Sequence, residues 1–112
     1  MGVNLSRGSP IKYYSSDRLT QLIGNGLLTF IHQDTYYSNF FSSDEIIFYS
    51  DISNLSEKIQ KYAKDDEQRK KIAKRGKMKY MKYFNSTIVV EYIINKTFDN
   101  TYKKNKYIWE NK

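Results

Sequence analysis

The stretch SSDRLTQLIGNGLLTF, residues 15–30, decides the fold of this chain. Serines and an aspartate suit the start of a helix, Leu19, Leu22 and Ile23 share one helical face, and Gly24 and Gly26 flank the point where the helix must end. The apolar run LLTFI then has the length and continuity of a buried strand. The stretch therefore predicts a capped helix, a glycine turn and an interior strand. Amides at such a helix start point outward without partners, so we expect an anion there.

The remaining pattern predicts an α/β fold. Short apolar runs indicate strands over residues 3–6, 27–32 and 46–49. A helix capped by Asp51 or Ser53 follows, and Asn54 and Glu57 have capping-box spacing. A second helix opens with acidic residues near 65 and continues with lysines, the order that the helix dipole favours. A third starts at Ser86, and its apolar stripe is Val89, Val90, Ile93, Ile94 and Phe98.

Three segments carry a family resemblance through their order and spacing: SSDRLTQLIGNGLLTF, DEIIFYSDISNLSEKIQKY and DDEQRKKIAKRGKMKYMKYFN. Together they resemble the C-terminal part of a group 1 glycosyltransferase of GT-B architecture, and within it the spore-coat CgeB-like subgroup. The resemblance covers residues 3–98. The matching positions are Arg18, Gln21, Gly26, residues 45–51, Leu55, Lys58, Ile59, Asp66, Glu67, Arg69, Ile72, Ala73 and Gly76.

The resemblance implies a partial, Rossmann-like nucleotide-sugar-binding domain over residues 1–98, followed by a charged tail over 99–112. Doubly wound domains usually have about six strands, and the three predicted strands therefore indicate a fragment of a larger enzyme. The implied function is transfer of a sugar from a nucleotide-sugar donor to a glycan or lipid-linked acceptor. We expect no metal and no cofactor, and no turnover by this chain alone, because the acceptor domain is missing.

The resemblance also assigns roles at the donor site. Ser15, Ser16 and Asp17 would offer amides or hydroxyls to the donor diphosphate, and Arg18 would add a charge whose planar fork suits phosphate oxygens. The alternative is that the serines only cap the helix and Arg18 points to water. Arg7, which follows the first strand, is a second candidate for phosphate contact.

Gln21 occupies the position of a glutamate that binds the donor ribose in many family members. Its amide oxygen can still accept a hydroxyl proton, so the resemblance implies ribose binding there. Tyr13 stands where those members have a first glutamate, so a carboxylate partner for the donor sugar is missing. The alternative for Gln21 is a helix residue that faces solvent.

Cysteine is absent and His32 is the single histidine, so disulfides and conventional zinc sites are excluded. His32 follows the run LLTFI, and Asp34 lies close enough in sequence to orient it. No serine or cysteine nucleophile motif surrounds this pair. We interpret His32 as a polar residue at the end of a strand.

Charge is concentrated in one segment. Residues 58–82 hold eleven lysines and arginines against three acids, in a chain whose net charge is +7. Solvated helix surfaces are the favoured interpretation. A peripheral contact with a membrane through residues 58–82 is a second interpretation, and nucleic-acid binding is disfavoured because no such motif is present. The competing function is a small basic module that binds nucleic acid or an acidic surface without catalysis. The expected location is the cytoplasm, with or without contact to the inner membrane face.

Overall fold

The computed structural model describes residues 1–5, 9–12, 17–102 and 106–110 of the chain. Its centre is a sheet of three parallel strands in the order β1-β2-β3: β1 is Gly2–Asn4, β2 is Thr29–His32 and β3 is Ile47–Tyr49. Val3 pairs with Phe30, and Phe30 pairs with Ile47. The α/β fold class is therefore confirmed, as a partial Rossmann-like layer.

In the described part of the chain there are four α-helices: α1 is Asp17–Gly24, α2 is Ile52–Lys64, α3 is Asp66–Tyr83 and α4 is Ser86–Thr97. The first helix ends where the glycines predict. Gly26 has a φ of 74°, a left-handed conformation that glycine adopts without strain, and its N–H donates to the carbonyl of Ile23. The predicted helix, turn and strand over residues 15–30 are confirmed from Asp17 onward.

Both faces of the sheet are buried, as the uninterrupted apolar strands predict. Phe30 of β2 belongs to a core cluster with Leu55 and Tyr62 of α2, while the next residue, Ile31, joins a second cluster with Leu19 and Ile23 of α1. Helix α3 contributes to both clusters. Its residues Ile72 and Ala73 join the first cluster, and Tyr80 packs against the second, together with Phe84, which follows the helix.

The helix predicted from Ser86 is present as α4, but its apolar stripe does not face the core. Val89, Val90, Ile93, Ile94 and Phe98 are all exposed, Phe98 to 72%. The helix instead presents its other side to residues 106–110: Tyr92 makes an edge-to-face contact with Tyr107, and the amide of Asn95 donates to the Tyr107 hydroxyl at 2.9 Å. Periodicity identifies a helix, but which side is covered depends on a segment that follows it.

Candidate functional site

The carboxyl ends of the three parallel strands form one edge of the sheet. The strands end at Asn4, His32 and Tyr49, and the register places His32 directly beside Tyr49. Asn4 is 2% exposed, which is unusual for an amide side chain. Open α/β sheets bind their ligands outside the carboxyl ends of the strands. This edge is therefore the candidate site, and we call it the carboxyl edge.

His32 is held in place by its neighbours. The N–H of Asp34 donates to Nδ1 of His32 at 3.1 Å, and the Thr35 hydroxyl donates to the carbonyl of His32 at 2.7 Å. The imidazole meets the ring of Tyr49 edge-on, with centroids 5.3 Å apart. Because Nδ1 accepts, the proton of the neutral ring is carried by Nε2, which is then a donor for an oxygen. His32 ends β2, the position that the sequence pattern indicates.

Tyr49 ends β3 and adds a second polar side chain to the carboxyl edge. No motif in the sequence pointed to Tyr49 as a site residue. Its side chain is nearly buried, and this burial raises the pKa of its hydroxyl. The hydroxyl therefore stays protonated at neutral pH and can donate a hydrogen bond. Its position as the last residue of a predicted strand, next to a histidine-ended strand, was the signal available in the sequence.

Helix α1 runs antiparallel to the strands, which decides where its first turn lies. Leu22, near the end of α1, packs on Gly2 at the start of β1, so closely that a Cβ on Gly2 would lie 2.2 Å from Cδ2 of Leu22. The opposite end of α1, which begins at Asp17, therefore points toward the carboxyl edge. The N–H groups of its first turn point along the helix toward its start and are therefore directed to the same side.

Arg18 and Gln21 are both exposed on this helix. They are three residues apart and therefore share one side of α1, opposite the buried Leu19 and Ile23. The backbone carbonyl of Gln21 accepts two hydrogen bonds from Asn25, from its N–H at 3.2 Å and its amide Nδ2 at 2.7 Å. The structure thus presents both side chains to solvent, with Arg18 nearer the start of the helix.

Of the other predicted donor-site residues, the structure describes only Asp17. Asp17 is the first residue of α1, and its backbone position agrees with a helix start. Ser15, Ser16 and Arg7 lie outside the described residues, as does Tyr13. Their assigned contacts with a diphosphate therefore stay predictions.

Helix α2 also starts at the carboxyl edge, where two residues, Ser50 and Asp51, separate it from the end of β3. Its first turn is already capped, because a carboxylate oxygen of Asp51 accepts from the N–H of Asn54 at 2.8 Å. The oxygen of the Asn54 side chain in turn accepts from the N–H of Ser50 at 3.0 Å. Asp51 therefore stabilises this corner of the edge by capping α2.

The described part of the chain has neither a metal-ligand cluster nor a membrane-spanning helix. Within residues 1–5, 9–12, 17–102 and 106–110, no three histidines, cysteines or carboxylates group as metal ligands would. Among the helices of that same part, none has the length and apolar character needed to cross a bilayer. The expected cytoplasmic location stays a prediction.

Comparison with known proteins gives a family assignment. A protein-family model described as "Glycosyl transferase-like" matches residues 1–95. Neither the curated proteins nor the solved structures that were compared include a match to this chain. The matched range nearly coincides with residues 3–98, where the sequence motifs lie, and takes in the whole sheet with α1, α2 and α3. The chain therefore belongs to the glycosyl transferase-like family, and its lineage is that of a transferase.

Proposed function

We propose that this chain forms part of the donor site of a GT-B glycosyltransferase of the CgeB-like subgroup. In the intact enzyme, the bond between the sugar's anomeric carbon and the diphosphate oxygen breaks, and a hydroxyl oxygen of a glycan or lipid-linked acceptor bonds to that carbon. The task of this chain is to hold the nucleoside diphosphate and to accommodate its growing negative charge. The groups that activate the acceptor would come from a second domain, so this chain alone would not turn over substrate.

One observation carries the proposal: the antiparallel course of α1 directs its first turn to the carboxyl edge in a chain of a transferase lineage. There, the amides of the first turn and the guanidinium of Arg18 would meet the diphosphate oxygens. Gln21, on the same side of α1, would accept from a ribose hydroxyl through its amide oxygen. Ser15, Ser16, Asp17 and Arg7 are proposed as further donor contacts, and no metal is needed where amides and arginine neutralise the phosphates.

His32 and Tyr49 extend this proposal along the edge. Both side chains can donate a hydrogen bond, His32 through Nε2 and Tyr49 through a hydroxyl that burial keeps protonated. Their contact, with ring centroids 5.3 Å apart, places them as one polar unit at the carboxyl ends of β2 and β3. We assign them to hydroxyl or phosphate oxygens of the donor.

The proposal is tested by titrating UDP, GDP and ADP in turn into the ¹⁵N-labelled 112-residue chain and following backbone amides by NMR. We expect shifts at residues 14–21 for at least one nucleotide, since the diphosphate would lie against that turn. Arg18→Ala should weaken binding by about tenfold, the size expected for loss of a charge-assisted hydrogen bond. Lys64→Ala removes one positive charge from the exposed side of α2 and serves as the control, with binding unchanged. Shifts that avoid residues 14–21 for all three nucleotides would refute the donor-site assignment.

A further inference from the structure

The exposed side of α3 carries a one-sided set of side chains. Ile72, Ala73 and Gly76 are buried, and the residues that alternate with them on the outer side are exposed: Lys70, Lys71, Lys74, Arg75, Lys77, Met78, Met81 and Lys82. We call this set the basic face. Every member is either a cation or a methionine.

Beyond its first turn, where the exposed Glu67 lies on the same side as Lys70 and Lys71, α3 offers no acid to this face. The acids of α3 are confined to its first turn, and no aspartate or glutamate occurs from residue 68 to residue 90. Arg69, which lies toward the core, forms an ion pair with Asp66. Lys79 forms another with Glu45, at 3.8 Å. Neither of these two cations belongs to the basic face. The basic face therefore has a large net positive charge.

A groove of about 500 Å³ opens beside the basic face, between α3 and the turn that precedes β3. Arg75, Met78 and Lys82 of the basic face line one wall. Tyr83 lines it as well, with the amino groups of Lys79 and Lys82 at 5.4 Å and 5.0 Å from its ring centroid. On the opposite wall, the carboxylate of Glu45 is occupied by Ser42, whose N–H and hydroxyl both donate to it at 2.9 Å. The exposed carboxylate of Asp44 lies on that wall as well. Because Lys79 is paired with Glu45, the guanidinium of Arg75 and the ammonium of Lys82 face the single remaining carboxylate of Asp44. The excess of positive charge at this opening suits a phosphate.

The two methionines favour an anionic lipid surface over a nucleic acid as the partner of the basic face. Met78 is 64% exposed and Met81 46% exposed, which places apolar side chains among the lysines, the combination that interfacial helices use. Single-stranded nucleic acids are instead held by stacking on open aromatic rings. The tyrosines of this region do not offer such rings: Tyr62 is buried, Tyr80 is packed in the core, and the Tyr83 ring is covered by two lysines.

We propose that the basic face of α3 docks this protein onto an anionic lipid surface, with a lipid phosphate in the groove at Arg75 and Lys82 and with Met78 and Met81 among the headgroups. The groove lies at the amino end of β3, whereas the carboxyl edge lies at the other end of the strands. The docking surface therefore leaves the carboxyl edge open. This inference stands independently of the donor-site proposal, because different residues carry the two.

The test is co-sedimentation of the 112-residue chain with vesicles of phosphatidylcholine alone and with 30% phosphatidylglycerol. We expect binding to the anionic vesicles only. Lys70→Gln/Lys74→Gln/Lys77→Gln should lower the partition coefficient by at least tenfold, since each lysine near an anionic surface contributes about fivefold. Glutamine retains helix propensity, and circular dichroism verifies folding. Lys70→Arg/Lys74→Arg/Lys77→Arg should bind as the unmodified chain does.

Two further variants distinguish binding through the basic face from attraction by the overall charge of the chain and from nucleic-acid binding. Lys61→Gln/Lys64→Gln removes charge from α2 and should change the partition coefficient less than threefold. Met78→Gln/Met81→Gln keeps every charge and should weaken vesicle binding several-fold, because apolar surface no longer enters the headgroup layer. Equal losses in the α2 and α3 lysine variants would overturn the proposal. So would tighter binding to a 20-base-pair DNA duplex that is indifferent to the methionines.

Discussion

Gly76 is the residue at which α3 comes closest to the turn before β3. A Cβ built on it would lie 2.3 Å from the backbone carbonyl oxygen of Glu45, closer than any carbon and oxygen can approach without bonding. The clash partner is backbone, so no side-chain rotation can relieve it. In the sequence, Gly76 ends the run DDEQRKKIAKRG, which carries part of the family resemblance. The structure thus supplies a packing reason for a glycine inside a helix.

Gly76→Ala should lower the free energy of unfolding by about 2 kcal/mol, because overpacking against backbone outweighs alanine's higher helix propensity. Gly24→Ala is the matched control, since the nearest atom to its added Cβ is Cε of Met81 at 3.9 Å. We expect that control to change stability by less than about 1 kcal/mol. Urea unfolding measures both variants. Equal stability of Gly76→Ala and the unmodified chain would contradict the close approach of α3 and Glu45.

At the scale of elements, the start of α2 shows how local rules compete. Asp51 and Ser53 are both acceptable caps, and Asn54 and Glu57 have capping-box spacing. The structure uses Asp51 as the cap, accepting from the N–H of Asn54, while the side chain of Asn54 accepts from the N–H of Ser50. The choice follows from where β3 ends, because only two residues, Ser50 and Asp51, separate the strand from the helix.

Asp51→Ala should destabilise the protein by about 1 kcal/mol, the usual cost of losing an N-cap acceptor. Asp51→Asn retains an acceptor oxygen and should lose less than half of that. Ser53→Ala, which removes the alternative cap, should stay within about 0.5 kcal/mol. Thermal unfolding of the three variants in parallel gives the ranking. A larger loss for Ser53→Ala than for Asp51→Ala would show that the helix starts two residues later.

At the scale of the whole molecule, residues 106–110 extend the aromatic packing beyond the sheet. Tyr107 is 1% exposed, and Trp109 packs against Tyr107, Tyr92 and Phe84. Lys106 forms an ion pair with Glu91, and its hydrogen bond is the main cause that holds the pKa of the Glu91 carboxyl below its ordinary value. These five residues lie in the predicted charged tail, yet they cover the inner side of α4.

This ion pair predicts a pH dependence. A carboxyl whose pKa is lower in the folded state than in the unfolded state stabilises the folded state at pH values above its ordinary pKa. That stabilisation is lost as the pH falls through the pKa of the folded state. Lowering the pH from 6 to about 3 should therefore loosen residues 106–110 and increase acrylamide quenching of Trp109, the single tryptophan. Glu91→Gln should show the higher quenching already at pH 6.

The control for that experiment is Glu57→Gln, an exposed carboxyl on α2, which should quench like the unmodified chain at every pH. Far-UV circular dichroism at each pH distinguishes local loosening from acid unfolding of the whole chain. Identical pH profiles for Glu91→Gln and the unmodified chain would rule out the Glu91–Lys106 pair as the tether.

The sequence alone determined the order and type of the elements. Capping residues, glycines and apolar periods act over a few neighbouring residues, so the helix, turn and strand over residues 15–30 and the acidic start of α3 could be predicted from them. The family could also be predicted, because its motifs are linear. The contacts of Ser15, Ser16 and Arg7 with a donor also come from these linear motifs, and they stay predictions.

The tertiary structure alone decided which side of each element is covered and which distant residues meet. The stripe on α4 is exposed because residues 106–110 occupy the other side of that helix. His32 and Tyr49 meet because parallel strands align their carboxyl ends, and the start of α1 is directed to the same edge because the end of α1 packs on Gly2. The groove of the basic face likewise needs α3 to approach Glu45 at Gly76. Such contacts depend on packing between segments far apart in the chain, which no local pattern of residues specifies.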